Sequence, residues 1–175
     1  LVRRLIREQK LDEQRWVPRE VQKFINAQKD EGRRSKKMDD RGDPTRQQLI
    51  RLYALYEARC EQAGVVDFAE LLLRSFETLR DVPDLGEYYR ERFRHLLVDE
   101  FQDTNGIQYD WLKQLTGKTG APFVVGDDDQ SIYRWRGARV ENMQHFKREF
   151  GATVYRLEQN YRSTQVILAA ANAII

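Results

Sequence analysis

The chain has 175 residues, 41% hydrophobic and 33% charged, with a formal net charge of +2. That is apolar material for one ordinary domain or one and a half, and no run is long and apolar enough to span a bilayer. The lone Cys60 excludes an intramolecular disulfide and a cysteine-rich zinc site, which sets the expectation of a cytoplasmic protein. The first ten residues, LVRRLIREQK, are too charged for the core of a signal peptide. Beginning at Leu1 rather than Met, the sequence reads as an internal piece of a longer chain.

The N-terminal part has helical periodicity. Leu1, Leu5, Ile6 and Leu11 form one apolar face. Pro18 suits the first turn of a second helix that turns Val21, Phe24 and Ile25 towards a core. Asp43-Pro44 opens a third, with Leu49, Leu52, Tyr53 and Tyr56 at helical spacing and Gly64 at its end. Asp67-Phe68-Ala69-Glu70 has the form of a capping box before Leu71-Leu72-Leu73, and a short helix is expected over 85–92. Trp16, Trp111 and Cys60 read as packing residues.

Near Phe93 the character changes. Strand-like runs at 95–99, 122–126 and 153–157 alternate with helical segments at 105–115, 139–149 and from about 163 to the end. Strand–helix alternation predicts an α/β fold built on a parallel sheet, here preceded by an all-helical subdomain. Charge divides along the same line. Residues 1–60 carry 16 Lys/Arg against 10 Asp/Glu, and residues 61–175 carry 14 against 18. The basic half can face phosphates or simply be solvated helix faces, and its strongest patch is Arg33-Arg34-Ser35-Lys36-Lys37.

Three segments carry chemistry. The apolar run His95–Val98 ends in Asp99-Glu100, followed by Phe101-Gln102-Asp103. Ligands of open α/β sheets bind beyond the carboxyl ends of the strands. There an Asp can hold a nucleotide's Mg²⁺ and a neighbouring Glu can deprotonate water; the plain alternative is a polar turn after a strand. The second segment, Phe123 to Gly137, ends a strand in Gly126-Asp127-Asp128-Asp129-Gln130 and continues Ser131-Ile132-Tyr133-Arg134-Trp135-Arg136. Aromatics interleaved with arginines supply π-faces for bases and cations for phosphates. The third is Glu158-Gln159-Asn160-Tyr161-Arg162-Ser163.

DEFQDT, GDDDQSIYRWRGA and EQNYRS, in this order and spacing, resemble motifs two, three and four of the UvrD/Rep/PcrA group of superfamily-one DNA helicases. The resemblance extends through NAQKDEG and GVVDFAEL and covers essentially the whole chain. It implies a P-loop NTPase-like, RecA-like parallel sheet fragment. Residues 1–93 would form a helical 1B-like subdomain, 94–160 the later part of the 1A motor domain, and 161–175 the start of a truncated 2A-like domain. The implied function is that of a fragment of an ATP-dependent 3′→5′ DNA helicase and translocase of repair or replication. ATP and Mg²⁺ are its cofactors. Single-stranded DNA and single/double-strand junctions are its partners, beside unidentified repair or replication proteins and without a membrane.

Residue by residue, Asp99 matches the acid that assists Mg²⁺, with Glu100 beside it at the metal and acting as catalytic base. Gln130 matches the γ-phosphate sensor, Arg162 the γ-phosphate contact and Tyr161 the adenine-stacking aromatic. Tyr133, Trp135 and Phe68 match aromatics along single-stranded DNA. Arg136 is expected to couple the two sites, while Gln102, Asp103 and Asp127 organise the strand ends. Each has a bland structural alternative: Phe68 can be a staple into the core, and Trp135 can be a core residue, although a Trp between two Arg is poorly suited to one.

Gly117-Lys118-Thr119 imitates the end of a P-loop, but the pattern requires Gly where Leu112 stands, and the segment follows a helix and precedes a strand. The chain by itself is therefore expected to be inactive as an ATPase. Two other functions fit the composition: a non-catalytic DNA- or protein-binding module, and a metal-dependent nuclease or helicase-nuclease subunit using Asp99, Glu100, Asp103 and the 127–129 acids.

Overall fold

Pro18 and Pro44 occupy first turns, where the missing N–H breaks no helical bond. The computed structural model, which describes residues 1–174, accordingly begins with α1 (Val2–Glu8), α2 (Pro18–Asp30), α3 (Pro44–Ala63), α4 (Phe68–Asp81) and α5 (Pro83–Arg92). Asp43 caps α3 by accepting the Thr45 N–H, and Gly64 closes it in the left-handed conformation at φ +62°. Val2, Leu5, Ile6, Trp16, Val21, Ile25, Leu52, Tyr53, Tyr56 and Cys60 form the first core, so Trp16 and Cys60 are packed as their context predicts.

The chain then enters β1 (His95–Val98), crosses over through α6 (Gly106–Thr116) and returns as β2 (Ala121–Val124). The strands pair in parallel, Leu97 opposite Phe123 and Val98 opposite Val124. A parallel pair requires such a crossover, and α6 supplies it, started by a capping box between Asn105 and Gln108. Gly117-Lys118-Thr119 is the α6–β2 connection, the wrong setting for a phosphate cradle. α7 (Glu141–Phe150) and α8 (Gln165–Asn172) follow.

The second core joins Phe101, Tyr109, Leu112 and Phe146 to the half-buried Leu96, Val98 and Val124 of one sheet face. The opposite face is open, with Leu97 79% exposed. Helices α4 and α2 pack on α6, so the change of structure at residue 93 is not a gap between bodies.

Three expectations are corrected. Residues 153–157 form no strand: an extended segment needs a neighbour to satisfy its ladder, no strand among the described residues pairs with it, and Tyr155 and Leu157 stand exposed. The Asp67 capping box is half made. Asp67 Oδ1 accepts the Glu70 N–H at 2.7 Å, but the Glu70 side chain turns instead to Lys29, Arg34 and Arg74. The basic patch is also interrupted, because Arg34 is engaged by Glu57, Glu70 and Glu77 and Ser35 is buried, which leaves Arg33, Lys36 and Lys37 exposed.

Candidate functional site

The carboxyl ends of β1 and β2 are held side by side by the ladder, which continues as the Val125 N–H donates to Val98 O at 2.8 Å and the Phe101 N–H to Val125 O at 3.0 Å. At the end of β1 the backbone turns sharply. Glu100 lies in the left-handed region at φ +51°, unusual for a residue with a side chain, and its N–H donates to Asp99 Oδ1 at 2.9 Å. The turn leaves both carboxylates exposed at the sheet edge.

A short polar relay joins the two strand ends. Gln102 is buried, at 1% exposure. Its Nε2 donates to Glu100 Oε2 at 2.7 Å and its Oε1 accepts the Asp127 N–H at 3.0 Å. Asp127 Oδ2 accepts from Gln130 Nε2 at 2.8 Å, and its Oδ1 accepts the Asp129 N–H at 3.1 Å. Glu100, Gln102, Asp127 and Gln130 are thus one hydrogen-bonded series. Gly126 makes room for it, because a Cβ there would lie 2.7 Å from Gln102 Oε1.

Beyond Gln130 the chain forms a tight turn over Arg134–Arg136. Trp135 is 71% exposed, so the core alternative does not hold for it. Its ring centroid lies 6.4 Å from that of Tyr133, and the Arg136 guanidinium sits 4.7 Å from the Trp135 centroid and 4.8 Å from that of Tyr133. The cation is attracted to both rings. The turn is tied back to the first motif: the Arg139 N–H donates to Thr104 O at 2.9 Å, and Asn142 Nδ2 donates to the same oxygen at 3.1 Å. Arg139 also pairs with Glu31, at the end of α2.

Phe68, the first residue of α4, is 91% exposed, which excludes the staple. Its position is set from beneath, since the preceding Asp67 accepts from Lys29 Nζ at 2.7 Å and from Tyr56 Oη at 2.7 Å. Tyr161 and Arg162 are exposed in the segment between α7 and α8. The backbone N–H of Arg162 donates to Asn160 Oδ1 at 2.9 Å, and its side chain makes no hydrogen bond to the Glu100–Gln130 series. The structure therefore gathers Asp99, Glu100 and Gln130 through one relay and carries Tyr133, Trp135 and Arg136 on its continuation. It leaves Tyr161 and Arg162 unconnected to that group.

A family model described as "UvrD/REP helicase N-terminal domain" matches residues 1–151. The chain belongs to this family. DNA helicase II of Escherichia coli (strain K12) is 54% identical over the whole of this chain, and that of Haemophilus influenzae is 50% identical. ATP-dependent DNA helicase UvrD1 of Mycobacterium tuberculosis is 39% identical over 94% of the chain. The chain spans about a quarter of the length of these curated relatives. Among the described residues no helix of this UvrD/REP segment is long and apolar enough to cross a membrane.

The buried charges of the UvrD/REP segment escaped the sequence reading. Lys29 is 2% exposed and binds Asp67 and Glu70. It continues the stripe Val21–Ile25–Lys29 at four-residue spacing, a signal that was legible. Next to it, burial and then repulsion from Glu31 and Asp67 push the Asp30 carboxyl up to about 6. The folded chain holds that proton more tightly than the unfolded chain does. Stability should therefore fall as pH rises from about 4 to about 6, and the penalty should persist above. Asp30→Asn should stabilise the protein at pH 7.5 by about 1 kcal/mol, after allowance for solvent screening at this partly buried site. Urea melts at pH 4 and pH 7.5 check this, the gain vanishing at the lower pH.

Proposed function

We propose that this chain forms the hydrolytic edge and part of the DNA track of an ATP-dependent DNA helicase that moves 3′→5′ along single-stranded DNA in repair or replication. The observation that carries the reading is the continuity of the Glu100–Gln102–Asp127–Gln130 series with the exposed Tyr133–Trp135–Arg136 platform. A γ-phosphate contact, Gln130, and a base-stacking group, Trp135, on one short, anchored segment let a change at either be felt at the other.

In this reading Glu100 takes the proton from the attacking water, and Gln130 presents its amide to the γ-phosphate. Arg162 offsets charge on the γ-phosphoryl group and Tyr161 stacks on adenine, the two being brought in by the part of the motor that follows. Asp99 and Glu100 fit Mg²⁺. Each gives one oxygen to a hydrogen bond and keeps the other free, and Mg²⁺ is held by one or two carboxylates with water and phosphates. Bound there, the ion would offset charge on the phosphate oxygens. Phe68, Tyr133 and Trp135 contact single-stranded DNA, with junctions reached by the parts beyond this chain, and the protein works in the cytoplasm.

Trp135→Ala in the full-length protein tests the reading. Base stacking on an aromatic is worth about 1–3 kcal/mol, so affinity for single-stranded DNA should fall roughly five- to a hundred-fold. It should fall about equally for different base sequences, since every base offers a π-face. The side chain is exposed, so the melting temperature should hold. Unchanged affinity in a protein of unchanged melting temperature would overturn the assignment.

A further inference from the structure

We infer that Gln102 is a positioning residue that reports the state of the 127–137 segment to Glu100, and so makes ATP hydrolysis responsive to DNA. This rests on the proposed role of Glu100 as base.

The argument begins with the amide's orientation. A carboxylate only accepts and a backbone N–H only donates, so the two neighbours of Gln102 dictate which end of the carboxamide faces which. Nε2 must point to Glu100 and Oε1 to the Asp127 N–H, as the distances of 2.7 and 3.0 Å record. At 1% exposure no solvent competes, and the flat amide cannot satisfy one partner while drifting from the other. Any side chain at position 126 would crowd the same oxygen, since a Cβ there would lie 2.7 Å from Gln102 Oε1, so the bond depends on the glycine.

The consequence is mechanical. Asp127 is the first residue beyond Gly126, and its carboxylate fixes both Gln130 and the turn that leads to Trp135. A movement of that turn when DNA occupies it displaces the Asp127 N–H. Gln102 then carries the displacement to the Glu100 carboxylate, to which its Nε2 donates at 2.7 Å. The alternative path through Thr104, Arg139 and Asn142 anchors the far side of the turn but does not touch Glu100. Gln102 is the connection that does.

The test uses the full-length protein. Gln102→Met keeps the volume and removes both hydrogen bonds. We expect DNA-stimulated kcat to fall about tenfold or more, since small misplacements of a catalytic group cost rates on this scale. The DNA-free rate should fall less, with KM for ATP and single-strand affinity within about threefold of the parent. In a Glu100→Gln background the Gln102→Met change should cost nothing further, because a residue acting only through Glu100 has nothing left to position. If Gln102→Met does not fold, Gly126→Ala, which crowds Oε1 from an exposed backbone position, should give the same pattern. A folded variant with a parental ratio of stimulated to free rates, or with losses that add to those of Glu100→Gln, overturns the inference while leaving Glu100 as base. Retained hydrolysis in Glu100→Gln alone would overturn both.

Discussion

Glu100→Gln in the full-length protein should lower DNA-stimulated ATP hydrolysis by about two to four orders of magnitude while leaving nucleotide binding within a fewfold of the parent. The substitution is nearly isosteric. The new amide oxygen can still accept from Gln102 Nε2, which now lies 2.7 Å from Glu100 Oε2, so the relay to Asp127 keeps its geometry. What disappears is the ability to take a proton from water. Asp99 cannot substitute, because one of its oxygens is occupied by the Glu100 N–H and its free oxygen belongs to the metal side of the site in our reading. Steady-state hydrolysis with saturating DNA, set beside binding of a non-hydrolysable ATP analogue, separates loss of chemistry from loss of ATP. Turnover within about tenfold of the parent would exclude Glu100 as the base. The same variant retains the Trp135 platform and should bind single-stranded DNA normally.

How much of this was legible depended on whether the property was local. β1, β2 and α6 follow from apolar runs and their alternation with a helical segment, all contained within a few residues. The strand expected at 153–157 failed because apolar content does not supply a pairing partner, and a ladder is a property of two segments. The spacing of Glu70 to Asp67 predicts half of a cap, yet its side chain is drawn away by three cations, Lys29 from α2, Arg34 and, one helical turn ahead, Arg74. Trp135 stands exposed, in keeping with the two arginines that flank it. Phe68 could not be decided, since a residue beside a cap can face either way. The pair of hydrogen bonds made by Gln102 is beyond the reach of sequence, because it depends on a parallel register that places residues 25 apart in sequence side by side.

Glu70→Ala should be the most destabilising single change in the helical part. Glu70 is buried and accepts from Lys29 Nζ at 2.9 Å, Arg34 Nη1 at 2.8 Å and Arg74 Nε at 2.7 Å. Burial alone would raise its carboxyl, but the bonds from Arg74, Lys29 and Arg34 outweigh that and hold it at about 2. Removing the shared anion leaves Lys29 buried with Asp67 alone. Breaking a buried pair from one side costs about 3–5 kcal/mol, which for a chain of this size is roughly 6–20 °C in melting temperature. Arg4→Ala, at an exposed pair with Glu8, is the control and should move the melting temperature by about 2 °C or less. The pH dependence gives a second signature. A carboxyl depressed in the folded state contributes stability above its unfolded value, near 4.5, and loses it as pH falls towards about 2. The variant should therefore lose less stability than the parent on acidification across that window. Because Lys29 also holds Asp67, which caps the helix that presents Phe68, single-strand affinity of the folded variant should weaken too. Equal melting temperatures for Glu70→Ala and the parent would mean that the buried cluster contributes nothing net, and that α4 is placed by its apolar face alone.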